Sequence, residues 1–187
     1  MMYNLLFVLL LGVGGALASP TCSEEEAAKC TDGKRPAWAF DYGYWPSTKY
    51  ELDEICHKAS PELDCEIDFA ERCPKSLIGL HLRPLKKFKQ LFTKICDDSS
   101  RLRTDYLRRV SCINHKMSIV RDVCHDDADV TKPGFKCSDA VHKTEKCFYG
   151  VIRDSCSKPH AELFRTVFQP YTAMSVLQCE YATNNKA

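Results

Sequence analysis

Apolar residues recur every three or four positions along most of the chain, the spacing that places them on one face of an α-helix. The clearest series is Leu85, Phe88, Leu91, Phe92 and Ile95. Alternation of apolar and polar residues with β-branched side chains, which is typical of strands, is hard to find. The pattern predicts an all-α fold, an irregular bundle of six or seven helices.

Capping signals place the first helices. The motifs at 23–26 and 48–51 have the Ser/Thr-x-x-Glu spacing of a capping box. Ser60 followed by Pro61 is typical of a helix start, because proline fits the first helical position. The sequence therefore predicts a break after Lys58 and a separate helix that ends at Cys73.

Further helices follow in the second half of the chain. Pro84 is expected to kink or restart a helix. Apolar spacing then predicts helices over about 102–123, 137–156 and 158–177. The segment 126–134 between them is polar and ends in Pro-Gly, which predicts a loop.

The N-terminus has the pattern of a signal peptide. An apolar run at 5–11 precedes Ala16-Leu17-Ala18, a small-x-small cleavage pattern. We expect cleavage after Ala18, so that 1–18 is the signal peptide, 19–187 is one domain, and the protein is secreted. No later stretch approaches 18 consecutive apolar residues, so the sequence predicts no transmembrane segment.

All twelve cysteines follow the predicted signal peptide. An even number in a secreted chain predicts about six disulfides, whose pairing the sequence leaves open. Cys112 and His115 have the spacing of two zinc ligands, but no second cysteine pair accompanies them. We therefore predict no metal site and no thiol nucleophile. The cysteines predicted to form disulfides are Cys22, Cys30, Cys56, Cys65, Cys73, Cys96, Cys112, Cys124, Cys137, Cys147, Cys156 and Cys179.

Charge is distributed unevenly, although the whole chain carries only +1. Residues 22–74 include 13 acidic and 6 basic residues, whereas 75–121 include 12 basic and 3 acidic residues. The basic residues could form one surface for heparin-like glycans, anionic lipids or an extracellular protein. The alternative is that they face solvent, or pack against the acidic helices at 51–54 and 62–71. The predicted surface comprises Lys86, Lys87, Lys89, Lys94, Arg101, Arg108 and Arg109. Nucleic acid is not an expected partner of a secreted protein.

Aromatic residues cluster in a segment that glycine and proline interrupt, which predicts a loop. Its rings could line the mouth of an apolar pocket for a small hydrophobic ligand. The alternative is that they cover the core. The predicted ligand-binding residues are Trp38, Phe40, Tyr42, Tyr44 and Trp45.

Candidate catalytic chemistry is sparse. His125-Asp126 after Cys124 invites comparison with secreted phospholipases A2, but the adjacent cysteine pair of those enzymes is missing. Asp127 and Asp129 lack the glycine and glutamate that complete a calcium loop of EF-hand type. The sequence predicts no catalytic residue, no metal and no cofactor.

The cysteine order carries a family resemblance. The segments 22–30, 51–56 and 68–73, with the late cysteines at 147, 156 and 179, resemble small secreted arthropod proteins of haemolymph, saliva and venom glands. Related patterns occur in nematode secreted domains of unknown function. The resemblance implies a helical fold with about twelve cysteines and implies no catalytic residues. Insect odorant-binding proteins are similar in architecture only, since the C-x-x-x-C element of that family is absent.

These observations favour a secreted non-enzymatic binding protein, a carrier or scavenger of small hydrophobic ligands. The alternative is a salivary or venom effector that contacts proteins, glycans or membranes through its basic surface.

Overall fold

The fold is all-α, as the sequence predicted. The computed structural model describes residues 22–34, 36–37, 45–124 and 136–184, and these ranges include seven α-helices and no strand. The predicted signal peptide and the loop at 126–134 lie outside the described residues. The helices are α1 (Glu24–Ala28), α2 (Lys49–Arg72), α3 (Leu77–Leu80), α4 (Leu82–Cys96), α5 (Arg101–Cys124), α6 (Cys137–Ser155) and α7 (Lys158–Asn184), with a 3₁₀ turn at Lys29–Thr31 after α1.

The two predicted N-terminal caps are present. The Glu26 amide donates to the Ser23 hydroxyl oxygen at 3.2 Å, and the Glu51 amide donates to Thr48 Oγ1 at 3.2 Å. The Thr48 amide donates to Glu51 Oε2 at 3.0 Å, which completes a reciprocal capping box. These bonds satisfy amide groups that a helix start otherwise leaves without partners.

The predicted break at Ser60-Pro61 is wrong, because α2 runs without interruption through both residues. Pro61 is exposed, and so is His57, whose carbonyl loses its helical donor at the proline. At an exposed position of a helix, water replaces the hydrogen bond that a proline removes, which lowers the cost of the proline. Ala59 and Leu63, on either side of the proline, are fully buried in the same apolar cluster and hold the helix together.

All twelve cysteines form disulfides, which confirms the predicted number of six. Three bonds lie within residues 22–96, and we call this range of residues the first disulfide group. The other three lie within residues 112–179, the second disulfide group. No disulfide joins the two groups. The bonds are Cys22–Cys73, Cys30–Cys65, Cys56–Cys96, Cys112–Cys156, Cys124–Cys147 and Cys137–Cys179.

Three apolar clusters form the core of the described residues. The largest is built on α5, α6 and α7 and also takes in Trp45, Leu52 and Ile95 from the first disulfide group. The second lies mainly between α2 and α4, and the third is a small cluster of Ala27, Phe69 and Cys73 between α1 and α2. Within the part of the chain described here, no helix is long and apolar enough to cross a membrane.

Candidate functional site

A cavity of about 450 Å³ lies at the end of the bundle that carries α1. Its apolar walls come from Ala27 and Ala28 of α1, Phe69 of α2 and Ile78 of α3. Tyr181, near the end of α7, lines it from the second half of the chain. A volume of this size is within the range of small-molecule sites in proteins.

Covalent bonds hold the wall that α1 provides. A helix of five residues has too few hydrogen bonds to be stable alone. Cys22–Cys73 and Cys30–Cys65 attach the two ends of this segment to α2 and to the residue that follows it. A salt bridge of 3.1 Å between Arg72 and Glu26 adds a third attachment. The wall is therefore fixed in place before any ligand binds.

The chain turns sharply at the rim of the cavity. Asp32 adopts a left-handed backbone conformation with φ 52°, and Gly33 follows with φ 69°. Gly33, Lys34 and Pro36 then line the cavity. The turn at Asp32 and Gly33 thus brings the residues that follow it to the rim of the cavity.

The serine and threonine hydroxyl groups that line the cavity bind backbone atoms. Ser23 accepts the Glu26 amide, and Thr31 Oγ1 donates to the Ala28 carbonyl at 3.4 Å. Ser76 Oγ donates to a carbonyl oxygen at 2.7 Å and accepts an amide at 2.9 Å. Since these hydroxyls are already paired, the walls offer mainly apolar surface to an occupant.

One acidic side chain of the wall is deeply buried. Glu66 is only 6% exposed and is the buried carboxylate among the described residues. It lies on α2 in the turn before Phe69 and lines the same cavity. Glu66 is thus a buried charged group of a wall that also carries Glu24 and Lys34, and a few polar groups among apolar ones are the usual composition of a ligand pocket.

The predicted aromatic site is placed only in part. Trp38, Phe40, Tyr42 and Tyr44 lie outside the described residues. Trp45 is 3% exposed and belongs to the main core.

The Trp45 ring packs between two other rings. It stacks on Tyr106 and Phe164, with ring centroids 6.4 and 5.8 Å apart. The side-chain amide of Asn114 holds the backbone, accepting the Trp45 amide at 3.0 Å and donating to the Trp45 carbonyl at 2.6 Å. Trp45 therefore ends the aromatic segment inside the core rather than at the cavity.

The predicted basic residues occur on α4 and α5, and most of them meet carboxylates. Lys86 pairs with Glu71 at 2.5 Å, and Lys89 pairs with Asp64, both acids being on α2. Lys87 and Lys94 are exposed on α4. The predicted contact between basic residues and the acidic helix at 62–71 is thus present.

On α5 the predicted cations gather around one acid. Arg101, Arg108 and Arg109 pair with Asp105 at 3.9, 2.5 and 2.6 Å. The hydrogen bond from Arg109, with the charges of all three arginines, holds the pKa of Asp105 below its usual value. The single carboxylate neutralises one of these three positive charges, so the cluster keeps a net positive charge.

A buried arginine joins three elements. Arg103 is 3% exposed, and its guanidinium pairs with Asp53 of α2 and with Asp98 at 3.1 Å, in the turn before α5. It also donates to the Ile95 carbonyl at 3.3 Å. No local signal in the sequence distinguishes Arg103 from the other arginines of α5.

Two histidines have pKa values below the usual value for histidine. Burial lowers the pKa of His81 below its usual value near 6.5, and its Nε2 atom has no hydrogen-bond partner among the described residues. Burial, with the positive charges of Arg109 and Arg108, lowers the pKa of His160. His160 Nδ1 lies 2.7 Å from Ser157 Oγ in the first turn of α7. That contact joins neighbouring residues at a helix start.

Metal ligands do not converge in the described ranges, where no group of three or more His, Cys, Asp or Glu side chains could hold an ion. Cys112 is bonded to Cys156, so it does not form a zinc pair with His115. His125, Asp126, Asp127 and Asp129 lie outside the described residues.

Comparisons with protein families, curated proteins and solved structures find no match to this chain. The resemblance to secreted arthropod proteins therefore stays a prediction from cysteine order.

Proposed function

We propose that the protein is a secreted, non-enzymatic binding protein that carries or sequesters a small hydrophobic molecule in the α1–α3 cavity. The observation that carries this proposal is the cavity itself, about 450 Å³ with mainly apolar walls whose serine and threonine hydroxyls bind backbone atoms. Six disulfides support secretion, because such bonds persist in oxidising compartments.

The cavity is suited to binding without catalysis. Removing apolar surface of a ligand from water contributes about 25 cal/mol per Å². A wall fixed by two disulfides loses little conformational freedom on binding, which lowers the entropic cost of association. The alternative function, a salivary or venom effector with a basic surface, has less support, since most of the predicted cations are paired with carboxylates.

Native mass spectrometry of the secreted protein tests occupancy directly. We expect an adduct of small mass that organic extraction removes. The extracted protein should then raise the fluorescence of N-phenyl-1-naphthylamine, an apolar probe, and palmitate or a sterol should displace it. Protein that is empty as secreted and leaves the probe fluorescence unchanged contradicts the proposal.

A variant that fills the cavity tests its location. Ala28→Leu places a larger side chain in the α1 wall. We expect at least tenfold weaker probe binding, about 1.4 kcal/mol. The matched control is Ala173→Leu on the exposed face of α7, which should bind as the unmodified protein does. Equal binding by both variants would place the ligand elsewhere.

A further inference from the structure

The cations of α4 fall into two groups. Lys86 and Lys89 point towards α2 and pair with Glu71 and Asp64. Arg83, Lys87 and Lys94 are exposed, and no carboxylate within the described ranges pairs with them. The first group forms part of the contact between α2 and α4, whereas the charges of the second group face solvent.

The exposed cations form one straight row. At 100° per residue, positions 83, 87 and 94 lie within an arc of about 40° on the helix surface. The row is about 16 Å long at 1.5 Å per residue, and Gln90 lies on the same face. Leu85, Phe88 and Phe92 are buried on the other side of the helix.

We propose that this row, Arg83, Lys87 and Lys94, is a docking site for a linear sulfated polysaccharide. A row of cations along a straight helix matches a chain of anionic groups that runs parallel to it. Each contact exchanges a bound counterion of the polyanion for a protein cation. Gln90, between Lys87 and Lys94, offers a hydrogen-bonding group to hydroxyl or sulfate oxygens.

Features of α4 favour a polysaccharide over a membrane. Interfacial helices insert large apolar side chains beside their cations. The large apolar side chains that the described residues expose are Tyr50, Leu80, Ile119, Val123 and Tyr181, and none of them lies on α4. Leu80 lies three residues before Arg83, but the row itself contains no apolar anchor.

Heparin affinity tests the proposal on the full secreted protein. Three contacts to a flexible linear polyanion predict a slope of about −2 for log K against log [NaCl], roughly a fourfold loss of affinity per doubling of salt. The variant Arg83→Gln/Lys87→Gln/Lys94→Gln should lose that slope and elute from heparin at clearly lower salt.

The control removes the same charge from another part of the surface. Lys136→Gln/Lys146→Gln/Lys158→Gln substitutes three exposed lysines in the second half of the chain. We expect this variant to keep the heparin slope and the elution salt of the unmodified protein. Equal losses in both triple variants would show an effect of net charge and overturn the proposed row.

Two further measurements complete the test. The first asks whether the exposed row or the paired lysines of α4 bind heparin, and the second asks whether the partner is a polysaccharide or a lipid surface. Lys86→Gln/Lys89→Gln should keep the heparin slope, because these lysines are paired with carboxylates of α2. If only this variant loses heparin affinity, the proposed row is not the binding site. Sedimentation with vesicles of phosphatidylserine and phosphatidylcholine should show weak binding compared with heparin; preferential binding to vesicles through the row overturns the polysaccharide. Probe binding in the cavity should be the same in all variants.

Discussion

The side-chain amide of Asn114 provides a sharp test of how the aromatic segment is anchored. Asn114→Ala removes both hydrogen bonds to the Trp45 backbone, one of 3.0 Å and one of 2.6 Å, and leaves the ring stacking untouched. Trp45 is 3% exposed, so water has little access to the groups that lose their partner. The substitution therefore separates backbone anchoring from ring packing.

The expected loss follows from the two bonds. A hydrogen bond contributes about 0.5–1.5 kcal/mol net, and a buried group left without a partner costs about 1–3 kcal/mol. For the Trp45 amide and carbonyl together we expect a loss of about 3 kcal/mol. Alanine offsets roughly 0.6 kcal/mol of this loss through its higher helix propensity. The free energy of unfolding should fall by about 2–3 kcal/mol, which is roughly 4–12 °C in Tm for a chain of this size.

Urea unfolding followed by far-UV circular dichroism, with the disulfides intact, measures the effect. Ser118→Ala is the matched control, because Ser118 is exposed on the same helix and gains similar helix propensity. The control should change the free energy of unfolding by no more than about 0.5 kcal/mol. If Asn114→Ala matches this control, ring stacking alone anchors Trp45 and the argument from the hydrogen bonds is refuted.

Three other predictions concern the fold. Gly79→Ala should destabilise the protein by about 1–3 kcal/mol, because the added Cβ overlaps backbone atoms of the turn before α3. Gly150→Ala should stabilise it by about 1 kcal/mol, since no atom lies within 4 Å of the added Cβ. Thermal unfolding of both variants tests whether Tm falls in the first and rises in the second. Replacing Cys56 and Cys96 by alanine should cost about 4 kcal/mol, from a sequence separation of 40 residues, and a loss under 1 kcal/mol in urea unfolding would contradict it. His81 is buried with a lowered pKa, so below about pH 6.5 the unfolded chain binds a proton that the folded chain does not. The free energy of unfolding should therefore fall from pH 7 to pH 5. His81→Leu should make that pH dependence smaller.

Local signals predicted most of the helical fold. The series from Leu85 to Ile95 has apolar residues on one face, and α4 buries that face. The motif at 48–51 formed the expected reciprocal cap, because its hydrogen bonds join residues three apart and need no tertiary contact. Pro61 was misinterpreted because the cost of a proline inside a helix depends on whether the freed carbonyl meets water. That depends on tertiary position, which the local sequence does not specify.

The cavity could not be predicted from the sequence, for a related reason. Ala27 and Ala28 are small residues in a short acidic helix, and they become a wall only after the disulfides of Cys22 and Cys30 bring α1 against α2. With twelve cysteines the sequence left this pairing open. Trp45 illustrates the opposite case, since an aromatic residue in a loop is equally compatible with a ligand site and with the core.

The separation of the disulfides into two groups bears on how a ligand would act. Bonds within 22–96 and within 112–179 restrict the unfolded chain inside each group but leave the docking of the groups to packing. Trp45 packs on Phe164, which lies in the second group. Tyr106 and Arg103 belong to α5, the helix that carries Cys112, and they contact Trp45 and Asp53 of the first group. These contacts join the groups without a disulfide. The cavity spans the same junction, because its walls come from α1–α3 and from Tyr181 of α7. A ligand that contacts both sides binds only the docked arrangement, and therefore stabilises the junction that no disulfide holds.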